Sequence, residues 1–317
     1  MIHSWPNTNR EEWLARRRQN VNASEAAGLF GPDIHPYWTP FKLWAAKSGK
    51  LPDEEDSPTL RRGRRFEPVV VDILREDYPS WKLDKSDHYF WDDETRIGCT
   101  PDAWAVRPED AAYGGAGIVQ IKTVGQFAFK RRWHDEHGNI AVPTWVAVQA
   151  SIEAYLTGAI WAGVAAMKLG DGGIEVVYID IPLKPHLIHK IEDLTGELWR
   201  RVAEGDPYDP DFGRDRKVVF DLYEEGTGPI IDLTPDVEFR EILNDRAQLK
   251  QVEKAGADAT DQRKILDARI MTKLANAPGA RCGSRVVTVK VVKKKSYTVK
   301  ATQYPQVSVK GVDDGGV

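Results

Sequence analysis

The sequence predicts an α/β protein with a central sheet flanked by helices, followed by a helical and β-rich extension. Apolar runs with the two-residue alternation of strands recur between residues 86 and 124. Residues 143–158, PTWVAVQASIEAYLTG, begin near Pro and end at Gly, which is typical of a helix. After residue 216 a charged stretch leads into a basic tail. These observations predict two domains, at 1–215 and 216–317.

The elements follow in order along the chain. Residues 8–11 (TNRE) resemble a capping box that opens a first helix. Pro68 should kink or break the helix in which it lies, because proline lacks the required N–H. The predicted helices are 8–19, 23–30, 39–47, 58–77, 143–158 and about 184–204. The predicted strands are 86–91, 96–99, 103–107, 117–124, 160–168 and 174–181. A helical hairpin divided near Gly256 is predicted for 234–276.

The overall composition is that of an ordinary soluble protein. The 317 residues are 41% hydrophobic and 29% charged, with a net charge of −4. A nucleic-acid site would therefore have to come from local clustering of basic residues. The two cysteines, Cys99 and Cys282, form no disulfide or metal motif, which fits a reducing cytoplasm. No apolar run approaches the roughly 18 residues of a membrane span, and the N-terminus lacks a signal-peptide core.

The strand 117–125, GIVQIKTVG, carries two polar residues within an apolar run. Alternate side chains face opposite ways, so Gln120 and Lys122 share one face and Ile121 points to the other. A buried lysine is costly unless an opposite charge compensates it. The strand therefore predicts an anionic or metal site beside Lys122.

Acidic residues elsewhere in the chain supply that site. Glu67 lies in RRGRRFEP, and Asp102 lies in IGCTPDAW. Together with Gln120-Ile121-Lys122 they resemble the metal-dependent nuclease pattern PD-(D/E)xK. Mg²⁺ prefers oxygen ligands, so Asp102, Gln120, the Ile121 carbonyl and Glu67 are its predicted ligands, and Mn²⁺ is expected to substitute. Lys122 is predicted to orient the attacking water or to stabilise charge on the phosphate.

Position 120 departs from this pattern, which expects Glu or Asp there. An amide oxygen still ligates a hard cation but adds no charge, so one interpretation is weaker metal affinity. The alternative is an inactive site that only binds DNA. A third interpretation is a chance match in which the stem of Lys122 packs and its ammonium reaches solvent.

Five blocks resemble, in order, the YqaJ-like viral recombinase family of the lambda-exonuclease group. They lie within residues 12–205 and read ASEAAGLFG…TPFKLWAAKSGK, LRRGRRFEPVVVDIL, IGCTPDAW, VQIKT and WVAVQASIEAYLTG. The resemblance implies a restriction-endonuclease-like core with a mixed central sheet flanked by helices. It implies Mg²⁺-dependent degradation of double-stranded DNA from a 5′ end in phage-type recombination. It also implies a single-strand annealing protein as partner, and often a ring-shaped trimer.

The resemblance assigns roles to particular residues. Lys122 falls at the catalytic lysine, and Gln149 falls at a helix glutamine that hydrogen-bonds near the site. Gln149 has a second interpretation, as an amide on a helix surface. Arg17, Ser24 and Thr100 fall where relatives hold a 5′-phosphate, which suits a guanidinium and two hydroxyls. Alternatively, Ser24 caps a helix and Arg17 lies on a solvated face.

Basic clusters are candidates for contacts with DNA phosphates. The predicted contacts are Arg61, Arg65, Lys130 and Arg131. The aromatics Phe127, Phe129 and Trp133 either stack on bases or belong to the core. The tail 281–312 carries eight Lys and Arg and no acids, which indicates a DNA or partner contact, or protection of a sheet edge.

The leading functional hypothesis is a DNA exonuclease. An endonuclease or resolvase of the same fold is an alternative, since the sequence does not show whether a DNA end is threaded. A catalytically dead DNA-binding recombination protein is the other alternative, indicated by Gln120.

Overall fold

The chain divides into two compact units, Met1–Tyr208 and Asp209–Val317. A computed structural model of the protein describes residues 1–31, 33–53, 56–112, 114–170, 173–223, 228–252, 257–293 and 303–311. Within these ranges, no helix combines the length and the apolar character needed to cross a bilayer. Cys99 and Cys282 are both buried and free.

The first unit contains the predicted alternation of helices and strands. Its helices are α1 (Arg10–Gln19), α2 (Ala23–Ala26), α3 (Pro40–Lys47), α4 (Pro58–Asp77), α5 (Pro108–Ala111), α6 (Gln126–Arg132), α7 (Thr144–Thr157) and α8 (Pro185–Glu204). Its strands are β1 (Ile2–Pro6), β2 (Val21–Asn22), β3 (Lys82–Lys85), β4 (His88–Asp92), β5 (Ile97–Cys99), β6 (Ala103–Val106), β7 (Gly117–Gly125), β8 (Trp161–Gly170) and β9 (Gly173–Ile181).

The main sheet has the strand order β3-β6-β7-β8-β9. β7 and β8 are parallel, whereas the other neighbours are antiparallel. The predicted α/β fold with a mixed sheet flanked by helices is therefore confirmed. A second sheet has the order β1-β4-β5-β2. The strands β1, β2 and β3 are not among the predicted strands; β2 has only two residues, and β3 (KLDK) is polar.

The two faces of β7 pack against different helices. Val119 and Ile121 lie in one apolar cluster with Leu74 of α4. Ile118 lies in another cluster with Ala150 of α7. Because side chains alternate along a strand, residues 120 and 122 share the face of Ile118 and point toward α7.

The helix α4 continues through Pro68, so of the two predicted alternatives, a kink and a break, the break is wrong. Pro68 and Arg64, whose carbonyl loses its N–H partner, are both exposed. Water can therefore hydrogen-bond to that carbonyl, which lowers the cost of proline inside the helix. The predicted helix 23–30 is also divided, since α2 passes into a 3₁₀ helix at Ala27–Phe30.

The second unit joins a helical pair to a small sheet, as the predicted helical and β-rich extension requires. Its elements are α9 (Arg216–Leu222), β10 (Ile231–Asp232), α10 (Val237–Val252), α11 (Ala257–Leu274), β11 (Gly279–Cys282), β12 (Arg285–Lys293) and β13 (Gln303–Gly311). The strand order is β10-β11-β12-β13. The predicted division at Gly256 and part of the basic tail (Lys294, Lys295 and Lys300) lie outside the described residues.

A buried ion pair holds this unit together. The Arg246 guanidinium contacts Asp267 on the neighbouring helix and donates to the Val307 carbonyl at 3.0 Å. Both charged side chains are almost fully buried. Asp267 also pairs with Arg263 at 2.7 Å, so removal of the Asp267 carboxylate, rather than of Arg246, would leave an uncompensated buried charge.

The Asp267→Asn variant should lower the free energy of unfolding by about 3–5 kcal/mol, because it leaves Arg246 buried and uncompensated. Urea denaturation followed by circular dichroism measures this change. Asp261→Asn, at an exposed carboxylate that pairs with Lys264, is the matched control and should change stability by less than about 0.5 kcal/mol. Equal effects of the two substitutions would contradict the assigned role of the pair.

Candidate active site

The pairing of β6 with β7 brings Asp102 to the middle of β7. Ala103 lies opposite Val119 in this antiparallel ladder. The Asp102 Oδ2 atom accepts a hydrogen bond from the Ile121 backbone N–H at 2.7 Å and another from Gln120 Nε2. Hydrogen bonds thus join Asp102 directly to Gln120 and Ile121. These three residues are three of the four predicted metal ligands.

A second group of polar side chains lies on the α7 side of β7. Lys122 Nζ donates to Gln149 Oε1 at 2.8 Å. Gln149 Nε2 donates in turn to Glu153 Oε1, one turn along α7, at 2.9 Å. Gln149 is therefore buried and bonded at both ends of its amide rather than lying on a helix surface. The interpretation in which the Lys122 ammonium simply reaches solvent does not hold, because this ammonium is hydrogen-bonded to Gln149.

Two oxygen atoms of this cluster are buried without a hydrogen-bond partner among the described residues. They are Gln120 Oε1 and Glu153 Oε2. The Gln120 amide turns its N–H toward Asp102, which leaves its oxygen as the unpartnered atom. Buried polar atoms are normally satisfied, so these two oxygens are candidates for binding a cation.

Burial opposes ionisation of the two acids of this cluster. Burial raises the pKa of Asp102 to about 7, and the charge of Glu67 adds to this shift, whereas Lys122, the Ile121 N–H and Lys85 oppose it. Burial also raises the pKa of Glu153 well above its usual range, with a further contribution from the charge of Asp102. Both acids are therefore stabilised in the protonated form.

Glu67 approaches the site from the opposite face of the sheet. It lies on α4, is partly buried, and its Oε2 atom is 3.5 Å from Lys85 Nζ. α4 packs on the face formed by Val119 and Ile121. Glu67 is therefore near enough to influence the pKa of Asp102, and its helix packs against the face of the sheet opposite α7.

Oxygen ligands of this kind fit a hard divalent cation such as Mg²⁺. In the described ranges, no three or more His, Cys, Asp or Glu side chains are grouped so that they could hold a metal ion. A metal at Asp102 would thus depend on amide and carbonyl oxygens as well. The Ile121 carbonyl accepts a long hydrogen bond, at 3.4 Å, from Gln120 Nε2.

The three residues predicted to hold a 5′-phosphate lie in one connected group. Arg17 Nη2 donates to Ser24 Oγ at 3.4 Å and stacks over Trp13, whose Nε1 donates to Thr100 Oγ1 at 3.0 Å. Ser24 does not cap its helix, since Asn22 is the N-cap residue. Arg17 is only partly exposed.

A cleft of about 440 Å³ opens beside this group and has mainly basic charges among its lining residues. Glu25, one acid of this lining, pairs with Lys47 at 2.6 Å and with Arg17 at 3.3 Å. Burial alone would raise the pKa of Glu25, but these ion pairs outweigh it and lower that pKa. The basic residues that line the cleft are Arg10, Arg17, Arg18, Lys47 and Arg64.

The predicted phosphate contacts lie at the surface. Arg65, Lys130 and Arg131 are exposed. Arg61 is also exposed and pairs with Asp56 at 3.3 Å.

The aromatics of α6 divide between the two predicted alternatives. Phe129 and Trp133 are buried in the α7-side cluster, as the core interpretation requires. Phe127 is 86% exposed, so it alone among these three is free to stack on a base.

Several residues of the Arg17–Ser24–Thr100 group and of the Lys122–Gln149 cluster had no role predicted from the sequence. Trp13, Glu25 and Lys47 link residues that are far apart in the chain. For Glu153, the sequence indicates only that it lies one helical turn beyond Gln149. Its near-complete burial depends on tertiary packing.

Comparison with known proteins supports the resemblance found in the sequence. Residues 12–160 match the family model of the YqaJ-like viral recombinase domain. The predicted resemblance is thus confirmed over this segment, which includes Glu67, Asp102, Lys122 and Gln149.

Individual relatives are more distant. The uncharacterized protein YqaJ of Bacillus subtilis (strain 168) is 35% identical over 63 residues, which is 20% of this chain and 19% of that protein. The match thus spans about a fifth of the length of that curated relative. The alkaline exonuclease LHK-Exo of Laribacter hongkongensis is 17% identical, with a TM-score of 0.44 over 62% of this chain and 94% of that one. A phage-related exonuclease of Haemophilus somnus 129PT is 13% identical, with a TM-score of 0.43 over 58% and 94%.

The raised pKa of Asp102 predicts a pH-dependent gain in stability for Asp102→Asn in EDTA. The native pKa of about 7 exceeds the unfolded value near 3.8, so ionised Asp102 destabilises the fold as pH rises through this window. At pH 8 the variant should be more stable on the order of 2–4 kcal/mol, since one pKa unit is about 1.4 kcal/mol.

Urea denaturation at pH 4, 6 and 8 measures the difference, which should shrink toward zero at pH 4. Asp77→Asn, at the exposed end of α4, is the control. A stability difference between Asp102→Asn and the original protein that stays constant across this pH range would contradict the raised pKa of Asp102.

Proposed function

We propose that the protein is a Mg²⁺-dependent exonuclease that degrades linear double-stranded DNA in the 5′-to-3′ direction. The observation that carries the proposal is the pairing of Asp102 with Gln120 and Ile121, one residue from a lysine held by Gln149. The match to the recombinase domain family over residues 12–160 supports it. The 3′ single strands that remain would serve homologous recombination by single-strand annealing.

The ligands proposed for Mg²⁺ are Asp102, Gln120 Oε1, the Ile121 carbonyl and Glu67. When bound, the metal polarises a phosphoryl oxygen and lowers the pKa of a bound water. Asp102 carries the charge that attracts the cation, and a bound cation favours its ionised form. Gln120 adds an oxygen without charge, so metal affinity is expected to be modest.

Lys122 is proposed to provide the positive charge that faces the DNA phosphate. An ammonium group has three donors, and Gln149 accepts one of them. The remaining donors are proposed to orient the attacking water and to stabilise the charge that develops on the phosphate. Gln149 acts as a positioning residue, because it contacts Lys122 rather than the reacting atoms.

The cleft beside α1 is proposed to receive the 5′-phosphate. Arg17, Ser24 and Thr100 supply a guanidinium and two hydroxyls, a donor set that suits a phosphate dianion. Outside the cleft, the proposed contacts with the duplex backbone are Arg61, Arg65, Lys130 and Arg131. We further propose an annealing protein as partner, a ring-shaped trimer as the assembly, and the bacterial host cytoplasm as the location.

A second candidate function is a DNA-binding recombination protein without nuclease activity. The neutral amide of Gln120 favours it, because this position would normally supply a metal-binding acid to a PD-(D/E)xK site. An endonuclease or resolvase would use the same residues but would not need a DNA end. Cleavage assays on substrates with and without ends distinguish these possibilities.

Linear duplex DNA with a 5′-phosphate should be degraded in Mg²⁺ or Mn²⁺ but not in EDTA, while closed circular DNA should remain intact. The Lys122→Ala variant should be at least 100-fold slower, because the loss of one electrostatic stabiliser typically costs that much. A gel assay follows both substrates. Cutting of the circle would indicate an endonuclease, and DNA binding without cleavage of either substrate would indicate the inactive protein.

Arg17→Ala should remove most of the preference for a 5′-phosphate over a 5′-hydroxyl end. Hydrogen bonds to charged groups contribute about 1.5–3 kcal/mol, so the rate ratio should fall by about 10- to 100-fold. Initial rates on the two substrates measure this ratio. Arg200→Ala, at an exposed arginine of α8, is the control and should leave the ratio unchanged. An unchanged ratio in Arg17→Ala would exclude the cleft as the phosphate site.

A further inference from the structure

We infer that Glu153 of α7 supplies the metal-binding carboxylate that position 120 of β7 lacks. The cation would then lie between the β6–β7 pair and α7, where Glu153 would join Asp102 and the other ligands proposed above. This inference rests on the proposed metal site, but it adds a ligand from a different element. It would explain how a site with a neutral amide at position 120 keeps enough negative charge.

The first argument is the burial of unpartnered oxygen atoms. Gln120 is 2% exposed and Glu153 is 1% exposed. Each has one side-chain oxygen that is buried and has no hydrogen-bond partner in the part of the chain that the structure describes. Such atoms are costly unless something replaces the lost water. A divalent cation would satisfy oxygens on both side chains.

The second argument is the position of Glu153 relative to the candidate site. Its Oε1 atom accepts from Gln149 Nε2, and Gln149 holds Lys122, which lies two residues from Gln120 on the same face of β7. The charges of Asp102 and Glu153 also interact. Glu153 therefore belongs to the same buried cluster, whereas Glu67 lies on the helix that covers the other face.

A purely positioning role does not account for Glu153. That role would use Oε1, which orients the Gln149 amide, and would leave Oε2 unexplained. The carboxylate is thus bonded at one oxygen and open at the other, which is the arrangement of a monodentate metal ligand with a supporting hydrogen bond.

The inference can be tested by returning the carboxylate from position 153 to position 120. Calorimetric titration of the full-length protein with Mn²⁺, without DNA, gives the affinity directly, and the electron paramagnetic resonance of free Mn²⁺ checks it. Glu153→Gln should weaken binding at least tenfold while keeping an acceptor for Gln149. The double variant Gln120→Glu/Glu153→Gln should restore affinity to within about threefold of the original protein.

Two further variants complete the experiment. Asp102→Asn tests the proposed metal site itself and should also weaken Mn²⁺ binding at least tenfold. Glu192→Gln removes a carboxylate of α8 that contacts Tyr155, and as a charge-matched control it should leave the affinity unchanged. Thermal unfolding in EDTA shows that each variant is folded.

The outcomes separate the inference from the proposed function. Loss of binding in both Glu153→Gln and Asp102→Asn, with recovery in the double variant, supports both. An affinity within twofold of the original in Glu153→Gln, with loss in Asp102→Asn, overturns the role of Glu153 and keeps the metal site. No recovery in the double variant also overturns the relocation of charge. No Mn²⁺ binding by the original protein overturns the metal site and the inference together.

Discussion

The hydrogen bond from the Ile121 backbone N–H to Asp102 is the interaction on which the site depends. It links the start of β6 to the middle of β7 and follows from the antiparallel register that pairs Ala103 with Val119. A slip of one residue would turn Gln120 and Lys122 toward the apolar face of α4 and expose Ile121 to the polar cluster. The apolar core that fixes the strand register therefore also fixes the positions of Asp102, Gln120 and Lys122.

The sheet gives the two sides of β7 different environments. On one side, Val119 and Ile121 pack with α4 in an ordinary apolar core. On the other, the apolar contact of Ile118 with α7 gives way to the polar chain from Lys122 through Gln149 to Glu153. The lysine is thus held by rigid elements and not by loops, which favours precise placement of its charge.

Much of this arrangement could be predicted from the sequence, because β7 and α7 carry strong local signals. The strand predicted at 117–124 is observed at Gly117–Gly125, and the helix predicted at 143–158 is observed at Thr144–Thr157. Local signals failed where the structure depends on distant partners. The polar strand β3 is stabilised by its pairing with β6, and the burial of Glu153 follows from packing that no local pattern records.

The remaining question is why buried acids persist in a site whose central residue is a neutral glutamine. Asp102 and Glu153 both have raised pKa values because burial removes water from their carboxyl groups. Apolar residues of similar volume at such positions are often neutral or stabilising, so stability alone does not account for these acids. A role in cation binding does, since a cation offsets the burial of both carboxylates. This reasoning supports the proposed cation site, even though position 120 contributes no charge.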